Sequence, residues 1–521
     1  DYPMGEFWLN SPTHDKPNDM LDAVSGAHIY GKNIIQAEGF TEVRGTWDED
    51  FALLKPLLDR NYCLGINSIV FHVNTHNPWT DRAPGMTLDG IGTFFQRDNT
   101  WWREMPAFTD YIKRCQALLQ YGSNVADLAV YTGNETPRRA LLPERLVSSL
   151  PGLFSEKDIL REKARLANVG QPLEVSPVGV THTANMTKAD AWTNPLRGYR
   201  YDSFNHDVLT KARVENGMIV TEGGTKYGAL VIPQARPMNP DRIVTCWNVI
   251  DSLEAKGAHV IRKPWTQSDL SSIGIKRDIT LPEGIDYVHR HADDADIYFM
   301  SNQTDSTVTF VPEFRAVRAN KYIADPITGK VYNAQNQLTL TAGASLFVVL
   351  TDLKIDAEYM PDMSKYDTAI SLDDNKWTVK FEKNGKQVTT KKLFDWSKAD
   401  DQSIKFYSGH ATYETTFKYK GKPEDRVLID LGEVADIATV YVNGKMCGTA
   451  WMPPYNVDIT PAVKKGKNEL KIVVVNTWAN ALQGNDQGTP PFEGIWTNGK
   501  YRRASKELLP AGLLGPVVIK N

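Results

Sequence analysis

The chain has 521 residues, too many for one ordinary domain, so three or four are expected. A formal charge of −4 with 10 % aromatic residues describes a globular protein, with no basic excess for nucleic acid and no polybasic tail for a membrane surface. No apolar run is long enough to span a bilayer, so no membrane insertion is expected. No signal peptide is read either, so an exported protein would be seen in a mature or trimmed form.

The first 122 residues alternate strand and helix. "YPMGEFWL" reads as a strand and "PNDMLDAVSGAHIYG" as a helix, with Pro17 near its start and Gly31 at its end. "NIIQAEGF" is the next strand, followed by the helix "EDFALLKPLLDRNYCLG". "INSIVFHVN" and "WWREMPAFTDYIKRCQALLQYG" repeat the pair. Strands recur roughly every 32 residues, as in a (β/α)8 barrel of about 250 residues. Three units of eight predict the C-terminal part of a barrel whose earlier units lie upstream. A natural half-barrel is disfavoured, because it would expose strand edges and the apolar inner face.

Residues 123–265 read as a flavodoxin-like α/β domain: strand "VADLAVYTG", helix "YDSFNHDVLTKA", strand "YGALVIPQ", helix "NPDRIVTCWNVIDSLEAKG" and strand "AHVIRK". No Gly-rich phosphate loop follows any of these strands, so packing or oligomerisation is the favoured role there. Residues 266–352 alternate with period two and predict a small antiparallel β-sandwich. Residues 353–521 predict a second, jelly-roll β-sandwich, in which "VNGK" is a tight hairpin turn. The fold class is therefore multidomain α/β plus β.

Cys63, Cys115, Cys246 and Cys447 are too scattered for a zinc ribbon or a disulfide scaffold. The chemistry is sought instead at the C-terminal ends of the barrel strands. Glu6 and Glu38 occupy that location in successive units, each followed by an aromatic residue: Phe7 and Trp8 in the first, Phe40 in the second. "HVNTHNPW" places His72, Asn74, His76 and Asn77 near the same face, with Trp79 beside them. Imidazoles, amides and indoles there suit sugar hydroxyls and sugar faces. His72 and His76 have the spacing of a zinc pair only on a helix, and this stretch reads as strand then loop. Paired carboxylates are the machinery of glycoside hydrolysis, or share a cation such as calcium. Thirteen Trp fit a carbohydrate partner, although Trp451, Trp478 and Trp496 are more simply read as sandwich core.

"HIYGKNIIQAEGFT", "HVNTHNPW" and "GTFFQRDNTWWREMPAFTDYIKRCQALLQYG", in that order, resemble glycoside hydrolase family 106, the α-L-rhamnosidases. "YRYDSFNHDVL" and "YGALVIPQARPMNP" look like the α/β domain that follows the barrel there. "VYVNGKMCGTAW" and "VVNTWANALQGND" look like a galactose-binding-type jelly roll. The resemblance implies inverting, calcium-assisted removal of terminal α-L-rhamnose. Glu38 in "AEGFT" would be the general base, Glu6 in "GEFW" a calcium ligand, and the general acid would lie upstream, so that this stretch alone would be inactive. Trp8, His72, Asn74, His76 and Trp79 would contact the carbohydrate substrate. Family habit implies a periplasmic, cell-surface or secreted location, and the expected protein partners are a further copy of the chain or the missing N-terminal half. Two other readings stay open: a retaining β-galactosidase-like enzyme with Glu6 and Glu38 as its catalytic pair, and a non-catalytic carbohydrate-binding protein.

Overall fold

The computed structural model describes residues 1–9, 17–42, 45–131, 198–232, 246–262, 269–361, 366–422, 426–501, 503 and 505–521. The chain divides into two compact units. The first comprises residues 1–40, 56–70 and 111–360, and the second residues 41–55, 71–110 and 361–521. Among the described residues no helix is long and apolar enough to cross a membrane.

The first unit holds β1 (Met4–Trp8), α1 (Pro17–Ile29), β2 (Gln36–Thr41, except for its last residue), α2 (Phe51–Leu64, its first turn belonging to the second unit), β3 (Ser68–Phe71, except for its last residue) and most of α3 (Met105–Leu119). The strands form a sheet in the order β1-β2-β3, with a helix in each crossover, the arrangement that parallel neighbours require. Next come β5 (Ser123–Asn124), β6 (Leu128–Tyr131) and β7 (Tyr201–Phe204), numbered after the short strand β4 (Ala83–Gly85) of the second unit.

β6 is the centre of an all-parallel sheet, ordered His259–Ile261, Ala229–Val231, β6, β7. All four residues of β6 and of β7 are buried, which explains their continuous apolar and aromatic character. Here one expectation is corrected. "YDSF", read as the start of a helix, is β7. The helix begins only at His206, after Asn205 accepts a bond from Val208 N as its N-cap. Of the helix read from Asn239, Trp247–Ala255 is present, and residues 239–245 lie outside the described set.

Arg200 ties the parallel sheet to α2. Its Nη1 donates to Cys63 O at 2.6 Å and its Nη2 to Leu64 O at 2.8 Å, which satisfies carbonyls that the helix end leaves open. Its backbone N–H donates to Asp127 Oδ2 at 2.9 Å. The remainder of the unit is a six-stranded antiparallel sheet, in the order Val331–Asn333, Asn320–Ala324, Ser345–Thr351, Ala295–Asn302, Ile285–His291, β5.

The second unit is built on two antiparallel sheets. Six strands run in the order Gln387–Thr390, Trp377–Phe381, His410–Tyr419, Gly466–Val475, Ile437–Val442, Lys445–Ala450. Four run in the order Thr368–Ser371, Val518–Lys520, Leu428–Asp430, Asn456–Asp458. Alternate residues of both sheets, among them Val379, Tyr413, Ile472, Ile429 and Ile519, share one core. In "VNGK", Asn443 and Gly444 have φ of 50° and 80°, the left-handed pair that a two-residue hairpin turn demands, and Val442 pairs with Lys445. Segments 41–55 and 71–110 pack within this unit. Trp101 Nε1 donates to Glu49 O at 2.8 Å, and Trp478 Nε1 to Asp98 O at 2.9 Å.

Candidate active site

Gln36 N donates to Pro3 O at 2.9 Å, and Ser68 N to Ile35 O at 3.1 Å. In a parallel ladder these bonds set Met4, Gln36 and Ser68 side by side. Two residues further on, Glu6, Glu38 and Val70 therefore form a row on one face of the sheet. Gln36 Nε2 reaches Ser68 Oγ at 3.5 Å on that same face. Both glutamates are half-buried and Val70 is 43 % exposed, so the row is open to solvent. Trp8 is on the same side of β1 as Glu6, by strand alternation, and is half-buried.

The opposite face is closed by packing. Phe7 is 1 % exposed, and α1 packs against β1. A Cβ added at Gly39 would lie 2.5 Å from Phe7 Cζ and 2.8 Å from Ile69 Cδ1, so the residue after Glu38 has no room for a side chain. Phe40, with φ of 73°, leaves the pleat and sets its ring edge-on to Phe7 at 5.2 Å. The strand carrying Glu38 is thus held by a glycine and two phenylalanines. Neighbouring strands are about 4.8 Å apart, so carboxylates in one row lie nearer the roughly 5–5.5 Å of a retaining pair than the roughly 6.5–9.5 Å of an inverting one. The same closeness suits two oxygens of one cation.

His72, Asn74, His76 and Trp79 belong to the second unit. There residues 72–74 are zipped to 93–95: Val73 N to Thr93 O at 2.7 Å, Phe95 N to Val73 O at 2.9 Å, and Asn74 Nδ2 to Phe95 O at 3.0 Å. His72 is half-buried, whereas Asn74 and His76 are exposed. Arg97 Nη2 donates to the carbonyls of Asn77 and Trp79 at 2.9 and 2.5 Å, which fixes the loop carrying Trp79. The Trp79 ring, 38 % exposed, meets Trp496 edge-on at 5.3 Å, with the Arg82 guanidinium 5.0 and 5.9 Å from the two centroids. Trp496 reaches this position because Ile495–Thr497 pairs with β4. Trp451 and Trp478 are buried, at 2 % and 1 % exposure.

One group escaped the sequence reading. Asp50 and Asp436, both of the second unit, carry raised carboxyls. Burial pushes the Asp50 carboxyl up to about 6, and burial followed by the charge of Asp50 pushes Asp436 well above the usual carboxylate range. Nothing in sequence marks this pair, because its members meet only through the fold.

The family model for glycoside hydrolase 106, described as alpha-L-rhamnosidase, matches residues 1–166 and 248–337. That for the glycosyl hydrolase 2 galactose-binding domain-like family matches residues 372–506. The structure of a rhamnosidase from Novosphingobium sp. PP1Y superposes with a TM-score of 0.79 at 26 % identity, covering 99 % of this chain and 51 % of that one. A putative beta-glucuronidase of Formosa agariphila is 24 % identical over all of this chain and 65 % of its own length. A Ruminococcus gnavus beta-glucuronidase covers 20 % of this chain and 20 % of its own at 22 % identity, with a TM-score of 0.18, too low to bear on the fold. The chain therefore spans about half to two thirds of the length of the two longer matches. With a family match over the βα and β segments and a rhamnosidase superposing on nearly every residue, the chain belongs to glycoside hydrolase family 106.

Proposed function

We propose that the chain serves the hydrolysis of terminal α-L-rhamnosides with inversion at the anomeric carbon, with Glu38 as the general base. The Glu6–Glu38 row, in a chain of this family, is the observation that carries the reading. Glu38 would take a proton from water as that water attacks the anomeric carbon, while a separate acid protonates the departing oxygen. Glu6 is too close in the ladder to be that acid across the sugar, so the proton donor is not assigned to a residue of this chain. Trp8, His72, Asn74, His76 and Trp79 are proposed as sugar contacts.

Calcium belongs to the reading through Glu6 alone. Among the described residues no three His, Cys, Asp or Glu side chains gather as a metal site, and calcium takes about six to eight oxygens. These residues do not by themselves build that site, and no step is derived through it.

The finer architecture is part of the same proposal. Residues 1–122 would be three units of a (β/α)8 barrel, 123–265 a flavodoxin-like domain, 266–352 a small sandwich and 353–521 a jelly roll. The protein would work in the periplasm, at the cell surface or outside the cell. A second reading is favoured by the short strand-to-strand distance: retention, with Glu6 and Glu38 as acid/base and nucleophile. Hydrolysis of 4-nitrophenyl α-L-rhamnoside by the intact protein, followed by NMR of the first anomer released, decides between them. The β-anomer, and a loss of about a thousandfold in Glu38→Gln, are expected. The α-anomer first would select the second reading, and unchanged turnover in Glu38→Gln would remove Glu38 from both.

A further inference from the structure

The first unit contains a large open cavity, of about 1250 Å³, that takes no part in the row of Glu6 and Glu38. Its walls are the turns that lead into β2 and β6, the hairpin around Gly223 and Gly224, and the segments 273–276, 289–291 and 315–318. Six basic side chains line it, Lys32, Lys226, Lys276, Arg290, Arg315 and Arg318, against the carboxylates of Asp127 and Asp296.

Much of this charge is already matched. Arg315 pairs with Asp127 at 2.6 Å and with Asp278 at 3.2 Å. Arg318 pairs with Asp296 at 2.8 Å and with Asp352 at 3.1 Å, and Lys226 reaches Glu215 at 3.7 Å. Lys32, Lys276 and Arg290 make no ion pair among the described residues. Arg290 is the informative one, because it is only 3 % exposed. Its Nε donates to Tyr121 O at 3.2 Å, and its Nη2 to Gly122 O at 2.6 Å and to Asn33 Oδ1. All three acceptors are neutral. Burial alone pulls this guanidinium down to about 10, so it remains a cation at neutral pH. A buried cation without a counter-charge is costly, and a charge-assisted hydrogen bond from its remaining Nη1 to a carboxylate or sulfate would relieve it.

Two further polar atoms of the wall lack partners among the described residues. His28 is 5 % exposed, and its Nδ1 engages Asp202 at 2.9 Å while its Nε2 has no hydrogen bond. Asn124 Oδ1 is likewise buried without one. Such atoms are rare in folded proteins and call for a donor or acceptor from outside the chain, as sugar hydroxyls supply. The volume exceeds what a single sugar fills.

We propose that this cavity is a binding site for an acidic oligosaccharide, held through its carboxylate or sulfate by Arg290, Lys32 and Lys276. It is separate from the proposed catalytic row. The test is calorimetric titration of the whole chain with trimannuronate, with neutral maltotriose and inorganic sulfate in parallel. Binding of trimannuronate that weakens with added salt, falls about tenfold in Lys32→Ala/Lys276→Ala and persists in Glu38→Gln is expected. Arg290→Gln should lose it further, and if that variant does not fold, the exposed lysine pair carries the test alone. No binding, equal affinity for maltotriose, indifference to the lysine variant, or sulfate held as tightly as the trisaccharide would each overturn the proposal. Loss of binding in Glu38→Gln would instead put the saccharide in the catalytic row and overturn it as well.

Discussion

Gly39→Ala tests the packing that holds Glu38. The new methyl would lie 2.5 and 2.9 Å from Phe7 Cζ and Cε1, and 2.8 Å from Ile69 Cδ1. Real methyl groups do not approach carbon so closely, and Phe7 cannot swing away, because it is 1 % exposed and set edge-on against the fully buried Phe40. Either the ring leaves its rotamer or β2 shifts from β1, at a cost of about 1–3 kcal/mol for overpacking. The strain is local, so hydrogen exchange of peptides covering Gln36–Thr41 reports it better than a global melt of a chain with two units. Protection there should fall by about tenfold or more. Phe7→Leu in the same background removes the clashing ring edge and should restore part of it, making the double variant less damaged than the sum of the singles. Unchanged protection in Gly39→Ala, or strict additivity with Phe7→Leu, would refute a strand held by that contact.

Asp50 gives a pH prediction. Its carboxyl is raised from 3.8 to about 6, chiefly by burial. The native state therefore binds more protons than the unfolded state between those values, and its stability falls as pH rises through the window. Asp50→Asn keeps an acceptor for Leu53 N, bonded at 2.8 Å, removes the charge and should flatten that fall, with up to about 3 kcal/mol regained at pH 7. Melting temperatures from pH 4 to 7 with the same slope in both proteins would count against it. Trp79→Ala and Trp496→Ala remove the two halves of one edge-on pair. If that pair contacts glycan, each should raise KM for a rhamnosyl oligosaccharide about two- to tenfold, the equivalent of about 0.5–1.5 kcal/mol, while leaving kcat on the aryl rhamnoside intact, as steady-state kinetics would read.

Periodicity was a reliable guide wherever one element's own pattern decides its conformation. The three βα units and the two strands flanking "VNGK" were legible in this way, whereas strands such as Trp377–Phe381 and Val518–Lys520 were not read. So was the turn at Asn443–Gly444, since few other dipeptides take two left-handed φ values in succession. "YDSF" misled because a fully buried strand carries no alternation, and its charged residue, Asp202, is spent inside on His28 and Tyr227. Trp496 could not be told from Trp451 and Trp478 by composition, because exposure depends on which strand lies across it.

The strand–helix order of the first 122 residues, the family and the two glutamates at matching points of successive units were present in the linear chain. They depend on repeat length and on residues adjacent in sequence. The row of Glu6, Glu38 and Val70 needed the ladder bonds. The Asp50–Asp436 pair and the cationic cavity around Arg290 needed the whole fold, because each gathers residues from distant segments. Whether a buried charge finds its counter-charge is a property of three-dimensional neighbours, and no local pattern encodes it.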